Sequence, residues 1–145
     1  NAWQPETIAF MNLETDYVFT VGFNVHGGSE VCNYVWDNKS VLFADNQWWI
    51  DVLREYADTC HVYNNYYMTN YNNGIVHGYD WYSITGSRQD NAQAFHQLRE
   101  FTLEISSTKT LNPSQLPNHW NWNYRSFLNF IESGLYGIHG NITDI

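Results

Sequence analysis

His26 ends an apolar run, Phe23-Asn24-Val25, just before Gly27-Gly28, and Glu104 lies inside another, Phe101-Thr102-Leu103-Glu104-Ile105. A neutral imidazole can ligate a metal or carry a proton, and two glycines after it allow close backbone approach. Glycines do the same in countless turns, so the other reading of His26 is a hydrogen-bonded residue at a strand end. A carboxylate set among Phe101, Leu103 and Ile105 is expensive to bury unless it is paired or metal-associated. If Thr102, Glu104 and Ser106 face water together, that cost vanishes, and the residues alone leave both readings of Glu104 standing.

The elements that position these groups follow from periodicity. Tyr17, Phe19, Val21, Phe23 and Val25 recur every second residue, which predicts a strand with this row on the core and His26 at its end, on the opposite face or in the following loop. Phe101 to Ser106 predicts a second strand, entered from a short helical or irregular piece around Asp90 to Leu98. Helices are predicted over 5–14, where Pro5 and Glu6 suit a first turn, and from Asp45 as N-cap through Trp48, Trp49, Val52, Leu53, Tyr56 and Cys60. A last helix follows Pro117, with Trp120, Tyr124, Phe127, Leu128 and Ile131 on one face and Gly134 at the C-cap. Residues 61–80, rich in Asn, Tyr and Gly, predict a long loop, and Trp81 to Ile84 a short strand or extended stretch closed by Thr85-Gly86-Ser87. Alternating strands and helices predict an α/β layered domain. Gly137 to Ile145 reads as an extended tail leaving the last helix, with more protein expected beyond it.

Composition bounds the classes of function. A chain of 145 residues with 43% hydrophobic content predicts one globular domain or one piece of a domain. Fifteen acidic residues against six basic ones, with no Lys/Arg cluster, argue against a nucleic-acid partner, and an acidic surface favours cationic substrates through an attraction that salt weakens. The apolar runs are strand-sized, so no membrane span is expected, and no basic-then-apolar leader opens the sequence. Cys32 and Cys60 are too few for a disulfide framework and lack metal-clip spacing; two buried thiols are the favoured reading, with a single bridge left open.

Several stretches in order carry a more specific signal: Gln4-Pro5-Glu6-Thr7, Asn24-Val25-His26-Gly27-Gly28-Ser29 through Asn33-Tyr34-Val35-Trp36-Asp37, Trp81-Tyr82-Ser83-Ile84-Thr85-Gly86 with Gln89-Asp90, and Phe101 to Ser106. Tyr124-Arg125-Ser126-Phe127-Leu128-Asn129-Phe130-Ile131-Glu132 follows, running into Gly137-Ile138-His139-Gly140. Together they resemble the C-terminal half of the catalytic domain of zinc metallocarboxypeptidases, of the regulatory type that includes carboxypeptidases D, E and N. The resemblance implies an α/β fold in which this chain forms part of a mixed eight-stranded sheet with helices on both faces. It implies residues 1–138 as that half, and 139–145 as a tail leading to a following domain. By matched position it implies His26 as the third zinc ligand, Glu104 as the general base, and Tyr82 as the mobile tyrosine over the substrate terminus. It also implies Asp37 as the acid of a pocket for C-terminal Lys or Arg, with Gln89 lining that pocket. The substrate would be a peptide or protein C-terminus, and the location secreted or periplasmic.

Two departures qualify the expectation. Gly86-Ser87-Arg88-Gln89-Asp90 stands where the regulatory enzymes have Gly-Gly-Met-Gln-Asp, so Arg88 either points outward or pairs with a pocket acid and spoils the basic preference. No His-x-x-Glu occurs anywhere in the sequence, so the other two zinc ligands, together with the substrate-anchoring Asn-Arg pair, must come from outside it. The chain alone is therefore expected to be inactive, requiring its missing N-terminal half, or to self-associate through an exposed sheet edge. The competing reading is a non-catalytic peptide- or carbohydrate-binding module of the same fold, using Trp120, Trp122 and the aromatic 63–71 stretch as stacking surfaces.

Overall fold

The computed structural model describes residues 3–136; the tail at 139–145 lies outside the described residues. Among them the elements run α1 (Pro5–Asp16), β1 (Val21–His26), β2 (Ser29–Tyr34), α2 (Asn46–Tyr63), α3 (Asn70–Asn73), β3 (Ile75–His77), α4 (Gly78–Trp81), α5 (Arg88–His96), β4 (Arg99–Ser106) and α6 (Leu116–Ser133). A 3-10 turn, Pro113–Gln115, enters α6. The four strands form one mixed sheet in the order β1-β4-β2-β3. β4 lies parallel to β1 and antiparallel to β2, and β2 is parallel to β3. The mixed α/β class is as the sequence predicts, with four strands of a sheet in the described residues rather than eight.

One face of the sheet carries the apolar core. Phe101 and Leu103 of β4 and Cys32 of β2 are fully buried there with Trp49, Leu53, Tyr56, Ala57 and Cys60 of α2 and Phe130 of α6. Phe101 lies at the centre of a ring cluster, 5.8 Å from Phe23, 5.8 Å from Tyr56 and 4.8 Å from Phe130, the last edge to face. α2 and α6 are joined by a polar hub as well. The buried Asn123 accepts from the Tyr56 hydroxyl at 2.9 Å and donates to the Tyr67 hydroxyl and the His119 carbonyl, while Ser126 donates to the Tyr56 carbonyl. Cys32 and Cys60 are both free and buried, as the favoured reading of the sequence had it; burial raises both thiols, Cys60 to about 11, and keeps them protonated.

Three expectations change. The alternating row from Tyr17 to Val25 is a strand only from Val21, because its neighbour β4 begins at Arg99, the partner of Val21, and offers Tyr17 and Phe19 nothing to pair with. Tyr17 and Phe19 are exposed, and so is Val25 near the strand's end. The 61–80 stretch is not a plain loop. It holds β3, whose Ile75 and His77 are buried, a three-residue strand too short to leave a periodic signature among Asn, Tyr and Gly. Arg54 of α2 fixes the stretch by donating to the carbonyls of Asn72 and Asn73, and Gly74 turns it at φ 94°, where a Cβ would stand 2.6 Å from the Met68 carbonyl. Finally, Trp81 closes α4, and Tyr82 to Ile84 belongs to no strand of the sheet, with the Ile84 N–H donating to the Asp37 carbonyl.

Caps follow local chemistry. Ser87 caps α5 by accepting from the Asp90 N–H at 3.2 Å. Asp45 precedes α2, yet its carboxylate is taken by Arg99 at 2.6 Å and makes no side-chain cap. Gly134 ends α6 in a right-handed conformation; its lack of a side chain serves packing there, since a Cβ would come within 3.1 Å of Val21.

Candidate functional site

The face opposite the core carries the polar groups, and the strand register assembles them. His26, the last residue of β1, is the direct partner of Glu104 on parallel β4, and residues in such register project to the same face. The result is a contact of 2.9 Å between His26 Nδ1 and Glu104 Oε1. The two differ in access: the imidazole is 58% exposed and the carboxylate 6%. Glu104 Oε2 is buried and has no hydrogen-bond partner among the described residues. The solvated-face reading of Glu104 therefore gives way, since Glu104 and Ser106 are both buried. Gly27, directly after His26, lies against the backbone of Thr108 and Lys109, where a Cβ would have 3.0 Å to the Thr108 carbonyl. That crowding gives the first glycine a packing reason.

A second cluster forms where the chain leaves β2. Asp37, 3% exposed, accepts at Oδ1 from Asn33 Nδ2 at 3.2 Å and from Gln89 Nε2 at 3.0 Å. The remaining amide oxygens, Asn33 Oδ1 and Gln89 Oε1, are buried acceptors without a partner among the described residues. Burial lifts the Asp37 carboxyl above its usual range; hydrogen bonds from Ser87, Asn33 and Gln89 work against the rise, and the neighbouring Asp90 adds to it. The carboxylate lies directly against Gly78, where a Cβ would fall 1.9 Å from Asp37 Oδ1 and 2.9 Å from Asn33 Oδ1.

Tyr82 lies between the two clusters electrostatically. It is 52% exposed, and its hydroxyl is raised first by partial burial and then by Glu104, Asp37 and Tyr71. Its ring is 4.7 Å from Trp81, which in turn meets Tyr71 edge on at 5.8 Å. Arg88 does not pair with a pocket acid of this cluster. It binds the buried Glu100 of β4, Nε to Oε1 at 2.7 Å and Nη2 to Oε2 at 2.8 Å, and stacks 3.6 Å over Phe10 of α1. Among the described residues no cation is thus a hydrogen-bond partner of Asp37.

The structure brings His26 to Glu104 and Gln89 to Asp37, the first by strand register and the second across 52 residues. Asn33, His77 and Gly78 join the site without a signal in the sequence that marks them. Asn33 sits in a strand otherwise read for its neighbours, and His77-Gly78 falls in a stretch whose composition mimics a loop; only the short spacing from Asn33 to Asp37 hinted at contact. Trp122 and Tyr67, two of the aromatics considered as stacking surface, instead pack on each other at 5.1 Å and against His119.

Among the described residues no three His, Cys, Asp or Glu side chains gather as a metal-binding group. One imidazole and one adjacent carboxylate do not by themselves fit the three protein ligands of a catalytic zinc. Among the described residues no helix is long and apolar enough to cross a membrane.

Residues 1–126 match the family described as zinc carboxypeptidase. Among curated proteins the chain is similar to mouse carboxypeptidase M, 33% identical over 97% of this chain and 35% of that protein. It is also similar to human carboxypeptidase D, at 31% over 97% of this chain and 11% of that protein, and to Caenorhabditis elegans carboxypeptidase E, at 30% over 97% and 34%. The chain therefore spans about a third or less of the length of these relatives. Among solved structures, carboxypeptidase A from Helicoverpa armigera superposes with a TM-score of 0.73 at 11% identity, covering 90% of this chain and 34% of that one, which establishes the shared fold.

Proposed function

The chain belongs to the zinc carboxypeptidase family, and from that premise we propose that it is the C-terminal half of a catalytic domain that removes single residues from peptide C-termini. The observation that carries this reading is the register pair His26–Glu104, an accessible imidazole held 2.9 Å from a buried carboxylate that keeps one oxygen unpartnered. A zinc ion held by His26 and two ligands from the preceding half would supply Lewis-acid polarisation of the scissile carbonyl and a water of lowered pKa. His26 contributes one ligand, and the other two come from the preceding half.

The work left to this chain's own residues is proton handling and substrate holding. Glu104 Oε2, buried and unpartnered, takes a proton from the attacking water and returns it to the leaving amine. Tyr82, half exposed and in the field of Glu104 and Asp37, covers the substrate terminus. Asp37 receives the side chain of the departing residue, and a basic one is favoured for two reasons. Among the described residues no cation is bonded to the carboxylate, because Arg88 is held by Glu100 and Phe10. Beside it, Asn33 Oδ1 and Gln89 Oε1 are acceptors in want of a donor, which Lys or Arg supplies and a neutral side chain does not.

β1 forms one edge of the sheet, with Phe23 stacked 5.1 Å on Phe127 of α6, and α6 exposes Trp120, Leu128 and Ile131. The preceding half is the natural cover for this edge and face, which also explains how its ligands reach His26. The protein carrying this chain with its upstream sequence is expected to release one residue at a time from free peptide C-termini, Arg or Lys before neutral residues, and to lose that activity to a chelator. Cleavage that ignores amidation of the C-terminus, or that survives metal removal, contradicts the proposal.

A further inference from the structure

We infer that His77 and Asp90 are positioning residues for substrate selection: they hold the backbone of the 36–38 turn so that Asp37 presents its carboxylate to the departing residue. The inference rests on the reading of Asp37 as the substrate-contacting acid and adds the residues that aim it.

Every backbone polar group of Trp36 and Asp37 is bound, and every partner comes from residues 77–90. The Trp36 N–H donates to His77 Nε2 at 3.1 Å, and the Trp36 carbonyl accepts from the Tyr79 N–H at 2.8 Å. The Asp37 N–H donates to Asp90 Oδ1 at 2.9 Å, the Asp37 carbonyl accepts from the Ile84 N–H at 3.2 Å, and the Asn38 N–H donates to Asp90 Oδ2 at 3.1 Å. Asp90 thus grips two successive amides with its two oxygens, and its own N–H is fixed on Ser87. Both carboxylate oxygens of the buried Asp90 are thereby taken by the turn, so its work is done through the turn.

His77 is held as firmly. Its Nε2 accepts from a backbone N–H, so the ring proton sits on Nδ1, which faces Asp80 Oδ2 at 3.3 Å. The ring is buried, with Tyr34 5.7 Å away. Gly78 follows at once and forms the floor under Asp37 Oδ1. The side chain that fixes the turn and the bare Cα that admits the carboxylate are therefore neighbours in sequence.

The test is the ratio of kcat/KM for peptides ending in Arg to those ending in Leu, measured on the protein with its upstream sequence. Asp37→Asn is run as the reference, with Asp90→Ala, His77→Leu and His77→Gln. The net worth of one such hydrogen bond corresponds to about tenfold or less in an equilibrium constant, and Asp90→Ala removes two. Asp90→Ala and His77→Leu are expected to lower the ratio by about that factor while turnover of the Leu peptide is retained. His77→Gln, whose amide oxygen can still accept from Trp36, is expected to restore it. The His77 pair changes no formal charge, so it separates aim from electrostatics: a ratio lowered by Asp90→Ala but not by His77→Leu overturns the inference. Equal losses on both peptides overturn it too, since a merely structural role predicts them. If Asp37→Asn leaves the ratio unchanged, the reading of Asp37 falls and the inference with it; if Asp37→Asn lowers it and the other two do not, the inference alone falls.

Discussion

Glu104→Gln is expected to lower kcat of the assembled enzyme by about 10²- to 10⁴-fold, the range associated with losing a positioned general base. KM should move little, because the role proposed for Glu104 is on the proton of water and not on the bound peptide. Zinc content should stay unchanged, because Glu104 faces His26 without belonging to the ligand set proposed for the metal. The amide is nearly isosteric, so the 2.9 Å contact to His26 Nδ1 can be kept while the acceptor that carries the proton is lost. A variant with full kcat removes Glu104 from the proposed chemistry, and one that loses zinc as well assigns it to the metal instead.

Phe101→Ala is expected to destabilise the folded protein by about 3–5 kcal/mol, the usual cost of emptying a buried phenylalanine site. Phe101 is fully buried, and its neighbours belong to β1, α2 and α6, so no single element can relax into the space. The effect reaches the site through the strand pair itself. Phe23 and Phe101 are register partners on β1 and β4, three residues before His26 and Glu104, which are partners in the same ladder. A urea midpoint lowered in proportion, with residual activity lost at lower urea than in the parent, is the expected result. A midpoint within the spread of surface substitutions would show that the ring cluster does not hold the register.

How far the sequence speaks depends on the range of the interaction that decides each feature. β4 was legible as a compact apolar run and α2 from a long helical period, and the edges of α6 because Pro117 and Gly134 are local signals; α5 was legible only as a short helical or irregular piece around Asp90 to Leu98. β1 was overread toward Tyr17, since alternation says which side chains share a face and not where a neighbouring strand starts. β3 was missed because three residues placed by pairing with β2, after a turn whose carbonyls Arg54 binds, depend on contacts far along the chain.

The site divides the same way. His26, Asp37, Tyr82, Gln89 and Glu104 were picked out by resemblance in order along the chain. Their mutual geometry was not legible, because it arises from register and from side chains 52 residues apart. Arg88 shows the limit best: its departure from the family pattern left its direction open, and a buried carboxylate on the neighbouring strand decides it.

Zinc stoichiometry tests most directly whether this chain brings one metal ligand and the base to a centre completed by residues outside it. Dialysed against buffered zinc, the chain alone should retain none tightly, while the chain joined to its upstream sequence should retain about one ion, lost again in His26→Ala. One tightly bound zinc per isolated chain, or a joined protein whose zinc survives His26→Ala, would contradict the account.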